Sequence, residues 1–320
     1  MLRKEESTKE EYKSKYDTLF HRIEAFYNKV TKNNMITQEQ FDTELKYIIS
    51  NAIREDVGDG DHSSLACIPE NARGKAKLLV KDKGIIAGVN FAKKVFAYVD
   101  KNLKIDVRIE DGSEVSYGDI VMYVEGSSQS ILKAERTVLN AMQRMSAIAT
   151  KTKSFVDLLE GTNTKILDTR KTTPGIRVLE KWAVKLGGGE NHRFALYDMI
   201  MLKDNHIDFA GGITKAIEMT KDYLVTTGRN LDIIIEARNL IEVEEILKSD
   251  GIYRILIDNF DYEDTKKAVK MIGNKCLTES SGNINETTLR HYAECGVNYI
   301  SSGALTHSVY NMDLSLKAVN

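Results

Sequence analysis

Residues 168–206, DTRKTTPGIRVLEKWAVKLGGGENHRFALYDMIMLKDNH, bring together Arg170, Lys171, His192, Arg193, Lys203 and His206. Two apolar runs with the look of buried strands lie here, KIL before Asp168 and MIML before Lys203. Cations at strand ends are placed for a ligand more than for solvent, and several together suit a substrate with several negative charges. Each charge-assisted hydrogen bond would contribute roughly 1.5–3 kcal/mol. Arginine matches planar carboxylates, whereas lysine acts as a point charge. The run Gly187-Gly188-Gly189 is expected to let backbone approach closely. It is neither a GxGxxG after a strand nor a P-loop, so both nucleotide fingerprints fail. His192 and His206 are too isolated for a zinc pair, and either could be a structural hydrogen-bonding group or a catalyst.

The elements that must position these side chains follow from the rhythm of the second half of the chain. Six short apolar runs occur in turn: KIL, MIML, DIII before Glu236, RILI before Asp258, CLT before Glu279, and YI before Ser301. Helix-like segments over 213–224, 240–248, 262–272 and 285–295 separate them. Strands alternating with helices predict a parallel α/β arrangement, a barrel, whose C-terminal strand ends carry the chemistry. That rule places Arg170, Lys171, Lys203, Glu236, Asp258, Ser281-Gly282-Asn283 and Ser302-Gly303-Ala304 on one face. The two late glycine-containing loops suit a phosphate held by backbone N–H groups. Two carboxylates on neighbouring strands are hard oxygen ligands which, with substrate phosphates, suit Mg²⁺ better than zinc. Singly, a strand-end acid is a turn former or helix cap; the joint occurrence on one face makes the set a candidate site.

The first half reads differently. Residues 1–36 lack Gly and Pro and carry Tyr12, Tyr16, Leu19, Phe20, Ile23, Phe26, Tyr27 and Val30 at helical spacing, which predicts an amphipathic helical extension. Ile36 to Phe41 reads as a capping box that starts a second helix. The acid-rich REDVGDGDHSS lacks the order of a calcium loop and is expected to be a capping turn. Strand-like runs KAKLLV, GIIAG, KIDVRI and DIVMYV follow, with a helix over 91–99. Residues 131–160 predict a long helix bridging two domains, with Arg136 and Arg144 on a polar stripe.

Composition bounds the rest. The 320 residues carry a formal net charge of −2 and 42% hydrophobic residues, enough for a substantial core in two domains. That balance offers no argument for nucleic acid or a membrane surface, and no apolar run has the length of a membrane span. Three cysteines without metal-ligand spacing fit a reducing compartment, with the cytoplasm as the expectation.

DTRKTTPGIRVLEKWAVKLGGGENHR, LKDNH, ESSGN and SSGALTHS, preceded by REDVGDGD and AERTVLNAMQRMSAIAT, resemble the quinolinate phosphoribosyltransferase family, the carboxylating nicotinate-nucleotide pyrophosphorylases. The resemblance covers the chain from about residue 38 to its end and leaves the first helix unexplained. It implies an α/β protein with an N-terminal α/β sandwich over 37–147, to which the tail 308–320 returns, and an open, six-stranded, TIM-like α/β barrel over 148–307. The implied reaction joins quinolinate to phosphoribosyl pyrophosphate, releasing nicotinate mononucleotide, pyrophosphate and CO₂ in de novo NAD biosynthesis. By the resemblance, Thr169, Arg170, Lys171, His192, Arg193 and Lys203 bind the quinolinate carboxylates and the phosphoribosyl donor. Glu236 and Asp258 sit at the ribose and Mg²⁺, and Lys171, Lys203, Glu236 and Asp258 form the catalytic set. The Ser281-Gly282-Asn283 and Ser302-Gly303-Ala304 loops, with His307, hold the 5-phosphate. Arg136 reaches a neighbouring subunit's site, which implies a homodimer or higher homo-oligomer. Arg238 departs from the family by placing a cation where an acid is usual. Three alternatives stay open: within the resembled family, a ModD-like pyrophosphorylase with another acceptor, and from the residues, a Schiff-base lyase using Lys171 or Lys203 and a barrel that only binds an anionic metabolite.

Overall fold

A computed structural model describes residues 36–319. The helix expected over 1–36 therefore lies outside the described residues but for Ile36. In chain order the first strands are β1 (Arg73–Val80), β2 (Gly84–Ile85), β3 (Lys104–Val107), β4 (Glu114–Val115) and β5 (Ile120–Ser127). They are followed by β6 (Lys165–Leu167), β7 (Ile200–Leu202), β8 (Ile233–Ala237), β9 (Arg254–Asp258), β10 (Leu277–Ser281), β11 (Tyr299–Ser301) and β12 (Leu314–Val319).

Strands β12-β1-β5-β3 form an antiparallel sheet, and β2 and β4 a separate two-stranded ribbon. In β1 the alternation of small, charged and aliphatic residues buries Ala76, Leu78 and Val80 on one face, as a half-covered antiparallel strand requires. The C-terminal strand closes this sheet by pairing with β1 from Lys75↔Val319 to Val80↔Leu314. The helix Gln38–Val57 starts as its sequence predicts: Thr37 accepts from the Gln40 amide, and the Gln40 side chain accepts from the Thr37 amide. In the acid-rich loop, Asp61 caps the helix His62–Cys67 through the Ser64 amide at 3.1 Å, which confirms a capping turn. No described helix is long and apolar enough to cross a membrane.

The spine of the molecule is the helix Ser128–Leu158. It contains no Gly or Pro, and Ser127 caps it through the Ser130 amide. Ala134, Val138, Met142, Met145, Ile148 and Phe155 are buried along it. It packs on β1, β5 and β12 of the antiparallel sheet, and also on β6 and the helix Arg177–Leu186. The run Gly187–Gly189 serves this packing: a Cβ on Gly187 would stand 2.3 Å from the Ala149 carbonyl oxygen, and one on Gly189 2.7 Å from Thr152 Cγ2. The close approach expected of these glycines is thus to a helix, and they do not line the substrate-sized cavity described below.

The other six strands form one parallel sheet in the order β6-β11-β10-β9-β8-β7. Its end strands β6 and β7 are not paired with each other, so the barrel is open. All of β8 is buried, as a parallel strand covered on both faces must be. The helices Ile213–Thr227, Leu240–Ile246 and Tyr262–Ile272 fall where the sequence places them; the last helix-like segment narrows to Leu289–Glu294. There the Asn285 side chain accepts from the Thr287 amide and hydroxyl, turning the chain before the helix begins.

Candidate active site

At the C-terminal ends of the parallel strands lies a cavity of about 840 Å³. Thr169, Arg170 and Lys171 border it after β6, His192 and Arg193 from the following loop, and Lys203 after β7. Glu236 of β8, Asp258 of β9, Ser281, Gly282 and Asn283 at the end of β10, and Ser302, Gly303, Ala304 and His307 after β11 complete it. Of the residues that the family resemblance assigns to the site only Arg136 is elsewhere. It is exposed on the long helix and borders a separate groove of about 240 Å³, together with Ile48, Asp56, Phe91 and Ile176.

The His192–Arg193 corner is positioned by a buried ion pair that the sequence pattern does not reveal. The Asp168 carboxylate accepts from Lys181 Nζ at 2.5 Å, Asn191 Nδ2 at 2.6 Å and the His192 amide at 2.8 Å. Lys181 also donates to the His192 carbonyl at 3.0 Å. Burial pushes the Lys181 amine down, and Asp168 opposes that shift. Such a pair adds little net stability, but it holds the loop in one place. Arg193, itself buried, donates to the Met199 carbonyl at 3.1 Å. Burial and then the neighbouring Arg170 press its guanidinium below its ordinary value.

The loop after β6 is tied to the loop after β11. Thr306 donates its hydroxyl to the Lys171 carbonyl at 2.8 Å, and Arg144 of the long helix donates to the Thr306 carbonyl. Arg144 also pairs with the fully buried Glu180 at 3.0 Å. Arg144, expected on a polar stripe, is thus a tie between the spine and the barrel mouth. Gly303 carries no Cβ because one would stand 2.8 Å from Lys171 Cδ and 2.9 Å from the His307 ring.

On the opposite wall, Ser281 donates its hydroxyl to Asp258 Oδ1 at 2.5 Å, and Asn259 Nδ2 donates to Oδ2 at 2.7 Å. The turn here is tight: Gly282 has φ 93°, and a Cβ on it would stand 2.1 Å from Asn259 Oδ1. Burial, and next the charge of Asp258, push the Glu236 carboxyl up to about 7, with Lys203 opposing. A buried carboxyl whose proton affinity is raised by a neighbouring carboxylate marks a place that a cation would relieve. Among the described residues no three His, Cys, Asp or Glu side chains are arranged as a closed metal cage. Glu236 and Asp258 alone could contact a hard divalent ion, whose other oxygens would have to come from substrate and water.

His206 does not reach the cavity. Its Nδ1 accepts the Lys203 amide at 3.0 Å, so it caps the helix Asp204–Ala210. Arg238 is also outside, pairing with Asp208 at 3.1 Å and Glu242 at 2.8 Å. Sequence reasoning left Glu279 without a role. It lines the cavity floor, fully buried, with its Oε2 3.2 Å from His192 Nε2 and 2.7 Å from Arg254 Nη1. The two-residue period from Ser281 was the available signal, since it turns Glu279 to the same side of β10. The Asp168–Lys181 pair left no comparable signal, because nothing in the spacing links a strand-end acid to a helix lysine thirteen residues on.

Arg170, Lys171, Arg193 and Lys203 thus face one cavity, and among the described residues none of them forms an ion pair with a carboxylate. Cations left unpaired around a concave site lack only an anionic ligand.

Comparison with known proteins supplies the family. The model of the quinolinate phosphoribosyl transferase N-terminal domain matches residues 61–146, and that of the C-terminal domain matches residues 148–317. A quinolinate phosphoribosyltransferase [decarboxylating] 1b of Nicotiana tabacum is 44% identical over 289 residues, which cover 86% of this chain and 82% of that protein. A chloroplastic nicotinate-nucleotide pyrophosphorylase [carboxylating] of Oryza sativa subsp. japonica is 43% identical over 289 residues, covering 86% of this chain and 77% of the relative. Among solved structures, the nicotinate-nucleotide pyrophosphorylase of Francisella tularensis superposes with a TM-score of 0.81 at 35% identity, covering 87% of this chain and 96% of that one. With both domains matched in order and such relatives matched over most of their length, the chain belongs to the quinolinate phosphoribosyl transferase family.

Proposed function

We propose that this protein is a quinolinate phosphoribosyltransferase: it joins quinolinate to phosphoribosyl pyrophosphate and yields nicotinate mononucleotide, pyrophosphate and CO₂ for NAD biosynthesis. The observation that carries this reading is the cavity itself, lined by four cations without carboxylate partners among the described residues and by the two carboxylates Glu236 and Asp258. The cationic wall takes the anionic groups, with Arg170 and Arg193 matched to planar carboxylates and Lys171 and Lys203 to less directional charge. Backbone N–H groups of the loops at Ser281 and Ser302, with His307, take the 5-phosphate.

Glu236 and Asp258 would hold Mg²⁺, which when bound neutralises charge on the leaving pyrophosphate. As the bond from C1 to pyrophosphate breaks, positive charge develops at the ribose C1, which the two carboxylates would stabilise. The pyridine nitrogen bonds to C1 as pyrophosphate leaves with the electron pair of the C1–O bond; the pyridinium charge then stabilises the electron pair that departing CO₂ leaves on the adjacent ring carbon, and that carbon takes up a proton from water. The protein's work is orientation and charge balance, so the rigid ties at Asp168, Arg144 and Thr306 matter as much as the groups that touch substrate. Arg136, which lies outside the cavity of its own chain, acts in the site of a second subunit, so that the active form is a homodimer or higher oligomer. The three cysteines, all free and Cys67 exposed, suit the reducing cytoplasm in which we place it.

The test is release of labelled CO₂ from carboxyl-labelled quinolinate by purified protein. The reading requires release that depends on both phosphoribosyl pyrophosphate and Mg²⁺, and no release under those conditions would overturn it. Mixing inactive Arg136→Ala and Lys203→Ala subunits should restore part of the activity. No recovery would confine each site to one chain.

A further inference from the structure

Beneath the cavity floor lies a buried cation that the substrate-binding set does not use. Arg254 opens β9, and the two-residue period turns it to the same side as Leu256 and Asp258, which line the cavity above. Its side chain is 7% exposed, and Nη1 donates to Glu279 Oε2 at 2.7 Å. The guanidinium carbon stands 4.3 Å from the centroid of Tyr299 on β11 and 5.4 Å from that of Tyr253. A flat cation fits between such rings better than an ammonium does.

The oxygen that Arg254 holds is also the one that faces the site, since Glu279 Oε2 lies 3.2 Å from His192 Nε2. On the other side of the ring, His192 Nδ1 accepts the Arg193 amide at 2.7 Å, so the ring proton sits on Nε2. That nitrogen is buried and makes no well-aligned hydrogen bond. It is held near Glu279 without being committed to it, and a small turn of the ring would offer its proton to an anion in the cavity. Without a counter-ion, a carboxylate on the floor of an anion site would repel the ligand. Burial tends to push Glu279 up, but His192 and then Arg254 outweigh this and bring it down to about 2.

We propose that Arg254 is a positioning residue for the pyridine dicarboxylate: through Glu279 it fixes the tilt of His192, which presents its Nε2–H to a substrate carboxylate. This rests on the assignment of quinolinate to the cavity. Arg254 touches no substrate, and its effect passes through two intermediaries. It also neutralises the floor so that a dianion can settle above Glu279.

The test uses the full chain with ¹⁵N-labelled histidine and the variants Arg254→Met, Arg254→Lys and Glu279→Gln. The wild-type His192 imidazole should give the signature of the Nε2–H tautomer, and Arg254→Met should shift its Nε2 resonance as the contact with Glu279 changes. The KM for quinolinate should rise roughly tenfold or more in Arg254→Met, the loss of one charge-assisted contact, while the KM for phosphoribosyl pyrophosphate stays within about twofold. Arg254→Lys should recover part of the difference. A folded Arg254→Met with wild-type imidazole signals, or with both KM values raised alike, would overturn the proposal. If Arg254→Met does not fold, Glu279→Gln decides: an unchanged His192 signature there also overturns it. Absence of quinolinate turnover in the wild type would sink the assigned function, whereas the imidazole signals would still decide the positioning role.

Discussion

The proton on Glu236 should be displaced when a divalent cation binds. With its carboxyl at about 7, against an ordinary 4.5, about half of the sites carry that proton at neutral pH. A cation that needs the ionised form should then release about half a proton per site at pH 7, a fraction rising to about 0.9 at pH 6. Apparent Mg²⁺ affinity should fall about fivefold from pH 7 to 6 and rise less than twofold from pH 7 to 8. Titration calorimetry in buffers of differing ionisation enthalpy counts the protons directly. The same shift enters metal-free stability. Because the folded value lies above the unfolded one, the contribution is fully present below about pH 4.5 and is lost as pH rises through 7. Between pH 6 and 8 the loss is about 1 kcal/mol once solvent screening at the cavity wall is allowed for. Glu236→Gln should abolish both the proton release and this slope. No proton release at pH 7 with a flat affinity from pH 6 to 8 would refute the reasoning.

Other outcomes follow from the ties around the site. Lys181→Met leaves Asp168 as an uncompensated buried charge and should cost about 3–5 kcal/mol in urea unfolding, much of it recovered by adding Asp168→Asn. Gly187→Ala forces a Cβ against the Ala149 carbonyl and should cost about 1–3 kcal/mol, read as a lowered Tm. The exposed cations Arg170, Lys171 and Lys203 should make kcat/KM fall with added salt, and a salt-independent rate would argue against their steering role. Borohydride should trap no substrate on Lys171 or Lys203; trapping would favour the lyase chemistry the residues alone leave open.

Much of the architecture was legible because it is local. The six apolar runs are short, aliphatic and spaced by amphipathic helices, and each became a strand of one parallel sheet. Thr37 and Gln40 announce a helix start three residues apart, and the cap forms. Boundaries moved where side chains compete with the backbone, as Asn285 does before the short helix Leu289–Glu294. The two glycine-rich readings came apart for a physical reason. Gly282 and Gly303 border the cavity, whereas Gly187 and Gly189 press against the spine helix, and composition cannot tell a close approach to a ligand from one to a helix.

What the chain alone determined is the inventory and its side of the barrel: strand-end Arg170, Lys171, Lys203, Glu236 and Asp258 share one face because parallel strands connected by helices all end on the same side. Tertiary structure alone decided how they are held. Asp168 meets Lys181, Arg144 meets Glu180 and Thr306, and Arg254 reaches His192 through Glu279 only after the barrel has curved and the spine helix has docked. Those contacts depend on direction and distance in space, which no periodicity along the chain encodes.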